Sequence, residues 1–133
     1  MFDIIRDIGG ITRRIQSTSN TEFRKFGLGN NAFLYVIRVY EQPGMFLGEL
    51  ADSVQIDRTT AFRSVRKLVD SGYLELQDDA KDKRIRRVYV TAKGKEVYPQ
   101  LHAFETMCSE RLTSRLTEAE KKRLAKLLSK LVF

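Results

Sequence analysis

The sequence contains little of what a secreted, metal-binding or membrane-spanning protein requires. Cys108 is the only cysteine among 133 residues, so no intramolecular disulfide can form and the reducing cytoplasm is the expected compartment. His102 is the single histidine, which together with one cysteine leaves too few ligands for a metal cluster and little room for a Cys–His catalytic pair. No run approaches the roughly 20 apolar residues of a membrane helix, and the acidic N-terminus is unlike a signal peptide. We therefore expect a cytoplasmic chain that needs no cofactor, contacts no membrane and is not an enzyme.

Positive charge is what the sequence has in excess. It contains 24 Lys and Arg residues against 17 Asp and Glu residues, which gives a formal net charge of +7. Such a balance favours polyanionic partners, with nucleic acid first and an acidic membrane surface second. A basic surface that only keeps the protein soluble explains the same charge. Composition alone therefore does not distinguish a protein that binds polyanions from a soluble protein with a basic surface.

The spacing of apolar residues in the first half of the chain predicts four helices. The first carries a stripe of isoleucines, with a bend expected at Gly9 and Gly10. The second, over residues 32–40, is mostly apolar, is expected to cross the interior and is capped by Asn30 or Asn31. A short helix over residues 47–54 precedes a fourth over residues 58–71. Asp57 is expected to cap that fourth helix and Gly72 to end it.

After Gly72 the apolar period changes from helical to alternating, which predicts a β-hairpin. Strands near residues 73–77 and 88–90 flank a polar loop over residues 78–86. Two helices then follow, the first capped by Thr91 and the second opened by a capping box over residues 117–120. The order of elements predicts a mainly α protein with a small β-hairpin wing, a winged helix-turn-helix.

The fourth helix has a polar face that suits insertion into a DNA groove. Thr59, Arg63, Arg66 and Lys67 fall opposite its apolar stripe, with Thr60 at the edge. Arginine can read guanine through two parallel hydrogen bonds, and Thr and Lys can contact bases or phosphates. The alternative is a surface helix whose charged face only provides solubility.

The hairpin tip favours the DNA-binding interpretation. It brings together five cations within seven residues, Lys81, Lys83, Arg84, Arg86 and Arg87. Crowded like charges add little to folding but suit a phosphate backbone or a narrow minor groove. Asp82, the acidic residue among them, is expected to hold a neighbouring arginine through a bidentate pair.

The segments that carry a family resemblance are Gly48-Glu49-Leu50-Ala51, Thr60-Ala61-Phe62-Arg63, Leu68-Val69-Asp70-Ser71-Gly72-Tyr73, Asp82-Lys83-Arg84, Val88-Tyr89-Val90-Thr91-Ala92-Lys93-Gly94 and Leu116-Thr117-Glu118-Ala119-Glu120. The resemblance is to the MarR family of bacterial regulators. It implies that the fourth helix lies in the major groove and that Arg84, positioned by Asp82, reaches the minor groove. Phe62 departs from the small polar residue that is usual in the family. It either packs against the protein or contacts a thymine methyl group.

The resemblance also implies dimerisation through the terminal helices. Two apolar stripes exceed the needs of a small winged-helix core: Ile4, Ile8, Ile11 and Ile15, and Leu124, Leu127, Leu128 and Leu131. Packing of both stripes within one subunit is the alternative, and the resemblance favours a homodimer. We expect one domain over residues 1–133, with a DNA-binding lobe at 30–92 and helical dimerisation regions at 1–29 and 93–133.

The expected function is that of a sequence-specific transcriptional regulator. By resemblance it represses, binds a near-palindromic double-stranded operator and responds to a small aromatic or lipophilic molecule, for which no site is assigned. Two alternatives stay open, a winged-helix module that binds protein or is a non-specific or architectural DNA binder, and a thiol-based redox-responsive regulator. For the second, Cys108 falls on an apolar stripe and is expected to be inert. The operator, the regulated genes and the effector are not specified by the sequence.

Overall fold

The computed structural model describes residues 1–132, which form two compact units, Met1–His102 and the residues from Ala103 onward. The α-helices of the described chain are α1 Asp3–Phe23, α2 Ala32–Glu41, α3 Leu47–Val54, α4 Arg58–Asp70, α5 Ala92–Leu112 and α6 Glu118–Leu128. Its strands are β1 Met45–Phe46, β2 Leu74–Asp78 and β3 Arg86–Val90. The predicted winged helix-turn-helix is confirmed. None of the described helices is both long and apolar enough to cross a lipid bilayer.

The three strands form one antiparallel sheet in the order β1-β3-β2. Val88 of β3 pairs with Met45 on one side and with Leu76 on the other, so β3 is the central strand. The hairpin of β2 and β3 is the predicted wing. Strand β1 was not predicted, because two residues are too few to show an alternating pattern.

The core of the first unit lies between α2, α3, α4 and the sheet. Helix α2 supplies five buried side chains, as expected for a helix that crosses the interior. The largest side chains that are almost fully buried elsewhere in this unit include Phe23, Leu28, Leu50, Leu68, Leu74 and Leu101. Full burial of each such side chain stabilises the fold by roughly 1.5–3 kcal/mol before conformational entropy is subtracted.

The predicted ends of α4 and the start of α6 are confirmed. The Asp57 carboxylate accepts the backbone N–H of Thr60 at 3.0 Å, and Gly72 follows α4 in the left-handed region with φ 87°. At α6, the Thr117 hydroxyl oxygen accepts the Glu120 N–H at 3.1 Å while the Glu120 carboxylate accepts the Thr117 N–H at 2.9 Å. At each helix start, a side chain placed by the local sequence therefore accepts one of the free backbone N–H groups.

The start of α2 differs from the expectation. Asn31 stands at the N-cap position, but its φ is 67° and its side chain makes no capping hydrogen bond. Asn30 is also left-handed, with φ 53°, so both asparagines serve the turn before the helix rather than capping it. Helix α1 runs through Gly9 and Gly10 without a break. The bend expected there stays a prediction.

Candidate nucleic-acid interface

The outer face of α4 presents every residue that the sequence assigned to it. Ala61, Val65 and Leu68 are buried against the first unit. The opposite side of the helix exposes Thr59, Thr60, Arg63, Arg66 and Lys67. These side chains therefore form one hydroxyl and cationic face, which suits hydrogen bonding to base edges and phosphates.

The N-terminus of α4 is held to the rest of the helix-turn-helix. Hydrogen bonding by Thr60, chiefly through its backbone N–H, lowers the pKa of the Asp57 carboxyl below its ordinary value. Arg58, the first residue of α4, lies 3.6 Å from the Asp52 carboxylate of α3. Both contacts involve the first turn of α4, where the exposed face of the helix begins.

The wing tip holds one arginine in a defined orientation. Arg84 Nε donates to Asp82 Oδ1 at 3.1 Å and Arg84 Nη2 donates to Asp82 Oδ2 at 3.0 Å. The Arg84 side chain is nonetheless 90% exposed. The hydrogen bond from Arg84 lowers the pKa of the Asp82 carboxyl, so Asp82 is ionised at neutral pH and accepts through both carboxylate oxygens. The bidentate pair expected from the sequence thus forms, and its arginine is Arg84.

A second Asp–Arg pair in the wing was missed by sequence reasoning. Arg87 Nε donates to Asp79 Oδ1 at 2.7 Å, and Arg87 Nη1 donates to the Gly44 carbonyl oxygen at 2.8 Å. The Arg87 guanidinium also lies over the Phe46 ring, 4.4 Å from the ring centroid. Arg87 is therefore not part of the exposed cationic tip, and the expectation that grouped it there was wrong. It ties the wing to the chain around β1.

Asp79 also shapes the loop that carries Arg84. Its Oδ2 atom accepts the backbone N–H groups of Lys81 at 3.1 Å and Asp82 at 3.0 Å. The hydrogen bond from Arg87 is the largest of the effects that lower the pKa of this carboxyl. Aspartate favours such turns because its carboxylate accepts backbone N–H groups two and three positions later. The position of Asp79 near the start of the polar loop was therefore the signal for this turn that the sequence offered.

The other predicted wing cations stay on the surface. Lys81, Lys83 and Arg86 are exposed. Arg86 Nε lies 3.6 Å from Asp78 Oδ1, a loose pair between two exposed side chains. Together with Arg84 they form the wing cations, a surface with little role in packing and available to phosphates.

The two apolar stripes assigned to dimerisation are also exposed in the single chain. Relative exposure ranges from 36% to 57% for Ile4, Ile8, Ile11 and Ile15, and from 40% to 53% for Leu124, Leu127, Leu128 and Leu131. No packing within the described residues buries either stripe. Contiguous exposed apolar side chains of this kind mark association surfaces.

Cys108 has the environment of an inert thiol. Its side chain is partly buried, and that burial raises the pKa of the thiol above its ordinary value. A raised pKa reduces the thiolate fraction, which disfavours rapid oxidation. Among residues 1–132, no group of three or more His, Cys, Asp or Glu side chains is arranged to hold a metal ion.

Comparison with known proteins identifies the family. The MarR family profile matches residues 26–85. The HTH-type transcriptional regulator YybA of Bacillus subtilis (strain 168) is 39% identical over 96% of this chain and 85% of its own length. The chain belongs to the MarR family.

Other comparisons agree with this assignment. The HTH-type transcriptional regulator BilQ of Clostridium symbiosum (strain WAL-14163) is 35% identical over 84% of this chain and 77% of its own length. The crystal structure of a MarR-family regulator from Listeria monocytogenes complexed with 26mer DNA superimposes with a TM-score of 0.91. It is 34% identical and covers 98% of this chain and 87% of its own. This MarR-family protein is a winged helix-turn-helix transcriptional regulator, as the sequence predicted.

Proposed function

We propose that this MarR-family regulator binds a near-palindromic operator as a homodimer and represses transcription. The observation that carries the proposal is that one compact unit presents two cationic surfaces, the outer face of α4 and the wing cations. A surface needed only for solubility would not require Arg84 to be oriented by a bidentate pair. The related Listeria structure, which contains DNA, supports the same interpretation.

Each surface has a distinct task in this proposal. Helix α4 enters the major groove, where Arg63 and Arg66 can each bond the O6 and N7 atoms of a guanine. Thr59, Thr60 and Lys67 contact neighbouring bases or phosphates, while Lys81, Lys83 and Arg86 contact the backbone beside the wing. Arg84 reaches the minor groove, where an A·T-rich sequence narrows the groove and deepens its negative potential.

The exposed stripes of α1 and α6 support the homodimer. Covering each stripe with a second copy removes apolar surface from water, the main driving force of protein association. Two-fold symmetry then presents two α4 helices to half-sites about one helical turn apart, which requires a near-palindromic operator. The domain division expected from the sequence, with a DNA-binding lobe at residues 30–92, is part of this proposal.

Control by a small aromatic or lipophilic molecule is proposed on family grounds, without an assigned site. We also propose that the protein has no catalytic activity, which the description of its relatives as transcriptional regulators supports. The raised pKa of the partly buried Cys108 thiol argues against the thiol-based alternative.

Selection of bound duplexes from a random pool, followed by titration, tests sequence-specific binding. We expect a two-fold-symmetric consensus that is bound on the order of a thousandfold more tightly than a scrambled duplex of equal length. Titration at several salt concentrations separates this preference from charge attraction, which falls steeply as salt rises. Equal affinity for all duplexes at every salt concentration would contradict the proposal and identify a non-specific binder.

A further inference from the structure

Phe62 is an apolar side chain in an otherwise polar surface. Between residues 41 and 111 it is the only large apolar residue that is exposed, with 40% of its surface accessible. The part of the chain that the structure describes gives its ring no aromatic or cationic partner. A substantial part of the Phe62 ring is therefore not packed in the core of the first unit.

The position of Phe62 on α4 places it beside the proposed base contacts. It is the fifth residue of the helix, three residues after Thr59 and four before Arg66. Residues at these spacings are neighbours on a helix surface, and all three side chains are exposed. In helix-turn-helix proteins the N-terminal residues of this second helix are the ones that approach base edges. Phe62 thus borders the part of α4 that would face the bases.

The chemistry of the major groove leaves one partner for such a ring. Base edges there present hydrogen-bond donors and acceptors, and the one apolar group is the C5 methyl of thymine. A phenyl ring against a donor or acceptor would leave that polar group without a partner, at a cost in affinity. Against a methyl group, both surfaces leave water together.

We propose that Phe62 determines specificity by packing against the C5 methyl group of one thymine in each operator half-site. This inference rests on the proposed function, because it requires α4 to lie in the major groove. It predicts that the operator contains a thymine whose importance comes from its methyl group rather than from its hydrogen bonds.

Deoxyuridine scanning tests the proposal directly, because deoxyuridine pairs like thymidine but lacks the methyl group. Thymines of the selected operator are replaced one at a time, symmetrically in both half-sites, and affinity is measured by fluorescence anisotropy. The proteins compared are the full chain, Phe62→Ala, Phe62→Leu and a control, Lys67→Ala, which changes another exposed residue of α4. Thermal unfolding shows whether each variant folds.

We expect loss of the methyl group at one thymine per half-site to weaken binding by the full chain roughly three- to tenfold. Phe62→Ala should bind the thymine and deoxyuridine operators equally well, and Phe62→Leu should keep part of the difference. Lys67→Ala should bind more weakly overall yet retain the full methyl dependence.

Two results would overturn the inference while leaving the proposed function in place. One is an operator at which no thymine shows methyl dependence, a result obtained with the unaltered protein alone. The other is methyl dependence that persists undiminished in Phe62→Ala. Failure to select any preferred sequence would instead reject the proposed function, and the inference with it.

Discussion

At the scale of single residues, the wing contains two hydrogen-bonded Asp–Arg pairs in different surroundings. Asp82 and Arg84 meet at the exposed tip, where an ion pair contributes little to stability, so its effect is to orient the arginine. Asp79 and Arg87 are more covered, and their contacts extend to the Gly44 carbonyl. The exposed Asp82–Arg84 pair thus suits DNA recognition, and the more covered Asp79–Arg87 pair supports the wing that carries it.

Replacement of Arg84 tests the role of the exposed pair. We expect Arg84→Ala to weaken operator binding on the order of tenfold or more, with unchanged folding, because it removes the minor-groove cation. Arg84→Lys should recover only part of the loss, since lysine keeps the charge but cannot make the bidentate pair. Lys122→Ala removes one charge from an exposed site of α6 opposite the leucine stripe and serves as control. Equal anisotropy titrations for Arg84→Ala and Lys122→Ala would reject the role of Arg84.

At the scale of elements, the start of α5 is packed tightly against the sheet. The Gly94 N–H donates to the Thr91 hydroxyl oxygen at 3.2 Å, which caps α5 as the sequence predicted. A side chain at Gly94 would collide with the Val90 side chain and with the Tyr73 carbonyl oxygen. Glycine is required here for close approach rather than for an unusual backbone angle.

Gly94→Ala should therefore lower the free energy of unfolding by roughly 1–3 kcal/mol, because the collision must be relieved by a shift of α5 or the wing. The matched control is Gly10→Ala on α1, where an added Cβ meets nothing within 4 Å. That substitution should raise the free energy of unfolding by roughly 0.5–1 kcal/mol through helix propensity. Urea unfolding at one protein concentration measures both. A Gly94→Ala protein as stable as the parent would show that the contact is easily relieved.

At the scale of the whole molecule, the exposed apolar stripes of α1 and α6 bear on the association of two chains. The isoleucine stripe of α1 and the leucine stripe of α6 are both exposed, whereas the core of the first unit is complete without them. Burial of an exposed charge in such an interface would be costly, so a carboxylate in the stripe should separate the subunits.

We expect Ile8→Glu to shift the protein from dimer to monomer at micromolar concentration in sedimentation velocity, and to weaken operator binding at least tenfold. Ser17→Glu introduces the same charge at an exposed position of α1 away from the isoleucine stripe, and should remain dimeric. A dimeric Ile8→Glu protein would show that the α1 stripe is not the interface.

The elements that could be predicted from the sequence are those whose signals are local. The caps at Asp57, Thr91 and Thr117 and the stop at Gly72 depend on residues within a few positions of each other, and all four are confirmed. Strand β1 could not be predicted, because its two residues become a strand only by pairing with β3 more than 40 positions later.

Local sequence signals were sufficient to predict the helical and alternating periods, the caps of α4, α5 and α6, the excess of cations and the composition of the exposed face of α4. These follow from residue type and spacing, which act over a few residues. Contacts in the folded chain, by contrast, determine which cations are available to a partner. Arg84 and Arg87 are three residues apart and chemically identical, yet one is exposed at the wing tip and the other lies against Gly44 and Phe46. That difference depends on contacts between residues distant in the chain, which no local pattern records.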